Sequence, residues 1–372
     1  MRLNHLIMLN KTWIFLFVAI TLYACGDEAP TRTIDRPALQ KSTPAIKVEI
    51  ENEGTVNYGD TIYIKVLPTE EGVTLTNAVA VLMGVNKTLA ESADGVLEIP
   101  TIISGGGNLR LKIEAQFSTG EKSNRYKDII VVSPIKANRW GFEVIQRYPH
   151  NVDAYTQGLL VHNGYLYEGT GQYGTSRIMQ TELTTGKILK EKSLSSDYFG
   201  EGITIFDNKI YQLTYKSGKV FVYDLESFEN LNEFRYNFKT AEGWGLTHTD
   251  SLLIASDGSE MLYFIDPDDF RVLSSLQVFD ENGSVKNVNE LEYRDGIVYA
   301  NIYTTAQIIA IDVNTGRVTD IYNARGIMLQ SEATTGMDVM NGIAIHPQNG
   351  NLLITGKNWS RLYEVRPVPD NS

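Results

Sequence analysis

Five segments of this chain line up at nearly equal intervals, and no other feature limits its fold as much. GYLYEGTG begins at Gly164, NKIYQLTY at Asn208, SLLIASDG at Ser251, GIVYANIY at Gly296 and NLLITGKN at Asn351, at intervals of 44, 43, 45 and 55 residues. A repeat of that length, built from short runs rich in Val, Ile and Tyr, has the period of a propeller blade, one four-stranded sheet per repeat. Each of the first four segments is followed by a strand ending in an acidic or Thr-rich turn: MQTELTTGKIL, VFVYDLESFEN, LYFIDPDDFRV and IIAIDVNTGRV. After the fifth only RLYEVRP remains, so the strand that this repeat lacks is assigned to GFEVIQRYP at 141–149. That pairing closes a ring of five blades and removes exposed sheet edges.

The repeat occupies 135–372. Upstream, 44–134 alternates as half-buried strands do, in AIKVEIE, TIYIKVLP, AVAVLMGV, LRLKIEAQF and YKDIIVVSP, with turn clusters such as NYGD and SGGGN between them. The expectation is an all-β chain, a five-bladed β-propeller preceded by an immunoglobulin-like β-sandwich that carries no chemistry and acts as a spacer or docking module. Residues 1–24 combine a weakly basic start, an apolar run from Trp13 to Tyr23 and the phrase LYAC. The run is too short to span a membrane permanently, and the whole resembles a lipoprotein signal peptide in which Cys25 is acylated and becomes the mature N-terminus. Cys25 is the sole cysteine, which excludes a disulfide within the chain. Residues 25–43 read as a polar tether. The expected location is the cell envelope, with a lipid anchor on the periplasmic or outer face of a bacterial membrane. The formal charge of −12 becomes about −14 once Arg2 and Lys11 leave with the signal peptide. A balance of that sign repels phosphate backbones and excludes nucleic acid as a partner.

Seven residues before each of the first four hairpin turns stand Gln157, Glu201, Trp244 and Asn289, and the phrase MNGIA places Asn341 at the fifth. The first strand of a blade is innermost, so these equivalent positions converge on the central channel. Fourteen residues further on, at the same end of the ring, stand Gly171, Tyr215, Gly258 and Tyr303, with Lys357 in the fifth repeat. An inner rim that differs chemically from blade to blade fits an asymmetric ligand better than five-fold packing. Gly200 and Gly202 flank Glu201, and the expectation is that they let a substrate backbone approach the carboxylate.

The phrases YPHNVDAYTQGL, LYEGTGQYGTS, FGEGIT, IYQLTY, GWGLT, SDGS, NVNELEY, YANIY, MNGIAI and TGKNWSRLYEV, in order from Phe142 to Val365, resemble the plant and bacterial type of glutaminyl-peptide cyclotransferase. The resemblance implies a five-bladed propeller that cyclises N-terminal glutamine of peptides and proteins to pyroglutamate with loss of ammonia, unlike the zinc-dependent animal cyclases. It implies that the glutamate of the GEG phrase, here Glu201, takes the proton of the α-amine and returns it to the leaving nitrogen. The donors for the oxyanion then lie among Gln157, Asn289 and Lys357, and the sequence leaves that choice open. Tyr155, Tyr215, Trp244 and Tyr303 are expected to hold the glutamine stem, with Gln157 and Asn341 also binding substrate. Tyr215 and Tyr303 stand where the family usually has tryptophan, Tyr155 where it has phenylalanine and Ser360 where proline is common.

No cofactor or metal is expected. His150, His162, His248 and His346 show no ligand spacing, GxSxG is absent, and DPDD at 266–269 recurs as a blade turn at DLES and DVNT. The alternative reading is a non-catalytic propeller that binds a peptide or glycan at the same channel mouth.

Overall fold

The computed structural model describes residues 44–51 and 54–370. The signal peptide, Cys25 and the tether lie outside the described residues. Within them helix is confined to Thr101–Ser104 and one 3-10 turn at Gln330–Glu332, and the remaining regular structure is strand.

The first region forms two sheets around one hydrophobic cluster. Ile46–Ile50, Thr61–Pro68 and Val96–Pro100 make a three-stranded sheet, while Thr55–Asn57, Lys122–Val132, Gly107–Phe117, Leu75–Leu82 and Lys87–Ser92 make a five-stranded one in that spatial order. Alternation explains the packing: Ile62, Ile64 and Val66 of one sheet meet Leu109, Leu111 and Ile113 of the other. The strand Lys87–Ser92 went unrecognised in the sequence because it lies at a sheet edge and buries no residue fully, so KTLAES shows no apolar alternation.

Beyond Ser133 the strands follow the repeat in a propeller-like arrangement. The first four-stranded sheet contains Thr156–His162, Tyr165–Thr170, Arg177–Glu182 and Ile188–Ser193. A second runs from Gly200–Phe206 to Asn230–Arg235, and a third from Leu246–His248 to Val272–Gln277. The other strands of this ring share one eight-stranded sheet. In spatial order it runs Val288–Arg294, Ile297–Ile302, Gln307–Asp312, Val318–Asn323, Asn138–Pro149, Arg361–Pro369, Leu352–Gly356 and Met340–Ile345. The strand missing from the last repeat is therefore Asn138–Pro149, antiparallel to Arg361–Pro369. It also begins earlier than the expected 141: Asn138, Arg139 and Trp140 run parallel to Asp320, Ile321 and Tyr322, and Trp140 Nε1 donates to Asp320 Oδ1 at 2.8 Å.

Hydrophobic clusters join successive sheets. Leu160 and Tyr167 pack with Ile203 and Phe221, Tyr211 and Leu213 with Leu246 and Leu253, Ile254 and Leu262 with Leu291 and Val298. Tyr299 and Ile308 then meet Ile343 and Leu352, and Ala344 and Leu353 return to Leu159 and Leu166. Each sheet thus buries both faces against its neighbours, which explains why its middle strands read as continuous apolar runs.

The two regions are packed together rather than merely tethered. The hairpin Phe279–Asp280 and Gly283–Ser284 inserts a fully buried Phe279 beside Tyr58, with ring centroids 5.4 Å apart. Gly106 faces the same ring so closely that a Cβ there would lie 2.3 Å from it. Ser133 N–H donates to the Asp280 carbonyl at 2.8 Å and Asn108 N–H to Ser284 Oγ at 2.7 Å.

Candidate active site

Thr156–His162, Gly200–Phe206, Leu246–His248, Val288–Arg294 and Met340–Ile345 each end their sheet on one side, and each packs on the next in turn. Their contacts are backbone to backbone. Gly202 N–H donates to the Trp244 carbonyl at 2.7 Å, and a Cβ on Gly202 would lie 2.5 Å from that oxygen. A Cβ on Gly200 would lie 2.7 Å from the Thr170 carbonyl oxygen. The two glycines beside Glu201 are therefore required by the neighbouring chain, which corrects the expectation that they clear a path for substrate.

Where these strands meet, a cavity of about 220 Å³ opens at one end of the ring. Gln157, Glu201 and Asn289 reach it from the inner strands and Trp244 from the segment just before Leu246–His248, at the positions the counting picked out, and Tyr155, Tyr215, Tyr303 and Lys357 reach it from the neighbouring loops and hairpin ends. Gly171 and Gly258 do not leave open room. A Cβ on the first would lie 2.4 Å from the Phe199 ring, and on the second 2.6 Å from the Trp244 indole, so each glycine accommodates an aromatic wall.

Asn341 takes a different place from the one expected. It is fully buried outside the cavity, where Nδ2 donates to Gln157 Oε1 at 3.1 Å and to the Thr156 carbonyl at 3.0 Å. Gln157 Nε2 in turn donates to Glu201 Oε1 at 3.1 Å. The three side chains form one directed chain, in which Asn341 orients Gln157 and Gln157 holds the carboxylate. The Asn289 carboxamide makes no hydrogen bond to the described residues, and its Oδ1 is enclosed without a partner.

Aromatic rings shape the rest. Trp244 and Tyr303 meet edge to face at 5.3 Å and 79°, and Lys357 Nζ lies 4.8 Å from the Tyr155 ring centroid and 5.0 Å from that of Tyr303. The sequence reading overlooked Phe199 and Gln172, which also line the cavity. Phe199 stands in FGEGIT directly before Gly200, so an aromatic preceding the GEG phrase was the available signal. Two acidic residues at the rim were also overlooked. Glu242 accepts from Trp244 Nε1 at 3.0 Å and pairs with Lys216 at 3.2 Å, while Asp338 accepts from the Tyr155 hydroxyl at 3.0 Å. That last bond gives the unusual tyrosine a use a phenylalanine would not have. Ser360 likewise donates to the Glu332 carbonyl at 2.8 Å.

The electrostatic balance left open by the sequence is decided by burial. Desolvation pushes Glu201 well above the usual carboxylate range, Lys357 opposes it and Glu242 adds to it. Lys357 is driven below the ordinary ammonium range by burial, against the pull of Glu201 and Asp338. Burial thus works against the charged form of both groups, while their mutual attraction favours it. Among the described residues no three His, Cys, Asp or Glu side chains come together as a metal-binding group.

A family profile described as glutamine cyclotransferase matches residues 114–367. Over 227 residues the chain is 34% identical to the glutaminyl-peptide cyclotransferase of Arabidopsis thaliana, a match that covers 60% of this chain and 70% of that protein. It is also similar to the crystal structure of Myxococcus xanthus glutaminyl cyclase, with 33% identity and a TM-score of 0.59, over 63% of this chain and 100% of that one.

Proposed function

The chain belongs to the glutamine cyclotransferase family, with the activity of a glutaminyl-peptide cyclotransferase, and from that premise we propose that Glu201 carries the proton in the cyclisation of N-terminal glutamine. The observation that carries the assignment is the Glu201 carboxylate, 4% exposed, held by Gln157 in an aromatic-walled cavity beside Lys357.

The substrate enters with its α-amine toward Glu201 and its γ-carboxamide against the aromatic wall. A free α-amine has a pKa of about 7.7–8.0, and burial, by raising the pKa of Glu201, makes its carboxylate a better acceptor for that proton. The neutral nitrogen attacks the γ-carbon and a C–N bond forms. The oxygen becomes an oxyanion, stabilised by the unpaired Asn289 carboxamide and the Lys357 ammonium. Glu201 then passes its proton to the carboxamide nitrogen and, ionised again, takes the second proton from the attacking nitrogen, which has become part of the ring; the original C–N bond breaks, the oxyanion collapses to the lactam carbonyl, and ammonia leaves with the pyroglutamyl product. Trp244, Tyr215, Tyr303 and Tyr155 exclude water and hold the folded rotamer on which ring closure depends. Asn341 acts from behind, through Gln157.

The same reading takes the repeat region as five blades, supported by the hydrophobic clusters that run from each sheet to the next and back to the first. It takes 44–134 as an immunoglobulin-like sandwich, Cys25 as the lipid attachment point, and the cell envelope as the site of action. It takes the chemistry as metal-independent and nucleic acid as no partner. Incubation with a glutamine-initiated dipeptide and measurement of released ammonia, with and without a chelator, tests the activity and its metal independence together. Turnover abolished by the chelator would overturn the second part.

A further inference from the structure

In four of the five repeats a glycine immediately follows the site position: Gly158, Gly202, Gly245 and Gly342. Three of them, Gly158, Gly202 and Gly245, meet the next strand so closely that a Cβ would lie 2.1 to 2.5 Å from its backbone. The fourth strand has Glu290 there instead, and its side chain is 1% exposed. It points across the ring, and each carboxylate oxygen is used. Oε1 accepts from Leu159 N–H at 3.1 Å and Oε2 from Ile343 N–H at 2.8 Å. Thr156–His162 and Met340–Ile345 end their sheets, so these amides have no strand to pair with, and a buried amide left unpaired is costly. One carboxyl group thus ties the first inner strand to the fifth from the fourth; burial and Glu292 push it toward neutrality, while the two N–H bonds it accepts favour its charged form. The amides it holds lie two residues beyond Gln157 and Asn341, the first two members of the hydrogen-bonded chain that ends on Glu201.

We propose that Glu290 is a positioning residue of the cyclase: it fixes the spacing of the strands Thr156–His162 and Met340–Ile345, and so keeps Asn341 bonded to Gln157 and Gln157 bonded to Glu201. It touches no substrate and acts through Gln157. The proposal rests on the assignment of Glu201 as the proton carrier. The glycine at the same place in the other four strands explains why a side chain is present only here. Contacts run directly from strand to strand elsewhere, whereas the fourth strand must span a distance to reach the first.

The test is Glu290→Gln, which keeps size but turns one acceptor into a donor facing an N–H. The expected result is a fall in kcat of about tenfold to a hundredfold with KM nearly unchanged, the size of effect that small misplacements produce. The acid limb of kcat/KM should also move to higher pH, because Glu201 loses the Gln157 N–H bond that favours its charged form. Lys357 and Glu242, the other charged groups acting on Glu201, are untouched by the change. In a Gln157→Ala background Glu290→Gln should lower kcat by less than about threefold further, because residues in one network are non-additive. A purely structural role would lower the melting temperature and leave kcat and the acid limb of the folded fraction at wild-type values, and that result overturns the proposal. Full additivity with Gln157→Ala overturns it as well. If Glu290→Gln yields no folded protein, Glu290→Asp, one methylene too short to span both amides, carries the same expectations. Glu201→Gln measured alongside keeps the two readings apart. Turnover retained in Glu201→Gln removes the premise, whereas an inactive Glu201→Gln beside a wild-type kcat in Glu290→Gln removes only the role of Glu290.

Discussion

Gln157 and Glu201 occupy the same position of consecutive repeats, 44 residues apart, and the amide of the first donates to the carboxylate of the second at 3.1 Å. Repeat geometry alone brings equivalent residues together around an axis. It does not make them partners. Here the partnership exists because Asn341 fixes which end of the Gln157 amide faces the carboxylate. The site is thus an ordered chain across three inner strands, with Glu201 at its end.

Glu201→Gln should reduce kcat by roughly 10²–10⁴-fold, the usual contribution of a positioned acid–base group, with KM little changed. Its folded-state pKa is raised, so the native protein holds a proton that the unfolded chain releases, and stability falls with rising pH from the carboxylate range up to the folded value. Glutamine removes that loss, and the variant should melt at an equal or higher temperature at neutral pH. Turnover within about threefold of wild type would show that the carboxylate does not carry the proton.

Gly202→Ala tests why the glutamate is flanked by glycine. The added methyl group would press on the backbone of Trp244 and Leu246, which have no freedom to move aside. A loss of about 1–3 kcal/mol or more is expected in chemical denaturation. Unchanged stability with a raised KM would instead restore a substrate-access role for this glycine.

His150 gives the ring a pH-sensitive closure. Its Nδ1 faces the Trp359 carbonyl at 2.8 Å and its Nε2 faces Glu168 Oε1 at 3.1 Å, so both nitrogens meet acceptors and the imidazolium satisfies both. Burial pushes the ring toward neutrality, but the charge and hydrogen bond of Glu168 and the carbonyl outweigh it and raise the pKa. The stabilisation is therefore complete below the unfolded value of about 6.5 and is lost as pH rises through the folded one. Melting temperature should decline on the alkaline side in the wild type, and the decline should be shallower in His150→Leu. That variant should also lose about 3–5 kcal/mol at pH 6 by leaving the buried Glu168 charge with only the Thr156 hydroxyl as partner and no counter-ion. Parallel melting curves across pH would contradict the assignment.

Removing residues 1–134 should leave the cavity intact, because every residue that lines it comes from 155–357. Phe279, however, would lose Tyr58 and Gly106 and become exposed. A chain beginning at Ile135 is expected to keep kcat within about threefold but to melt lower and associate, since exposing a buried Phe forfeits about 1.5–3 kcal/mol. Phe279→Ser in the shortened chain should reduce the association. A shortened chain as stable as the long one would mean that the contact contributes nothing.

The proposed lipid attachment at Cys25 predicts that Cys25→Ser releases the protein from membranes, because a diacylated tail would supply most of the membrane affinity of so acidic a chain. Fractionation of cells expressing both forms reads this directly. Equal membrane recovery would rule out the cysteine as the anchor point.

The sequence by itself determined the repeat, its period and the residues that lead each inner strand, because every repeat must bury the same faces and so the same pattern recurs at a constant interval. Counting along that pattern found Gln157, Glu201, Trp244 and Asn289, and matching phrases found Lys357. Only the tertiary structure decided what those positions do to one another. Asn341 counts as a site residue but lies behind Gln157, Phe199 fills the space of Gly171, and Glu290 reaches two strands on other repeats. The packing of Phe279 against Tyr58 joins residues more than two hundred positions apart. Periodicity records which face of each strand is buried, since that depends on local alternation. The direction of a side chain across the ring depends on strands distant in sequence, and no local pattern encodes their spacing.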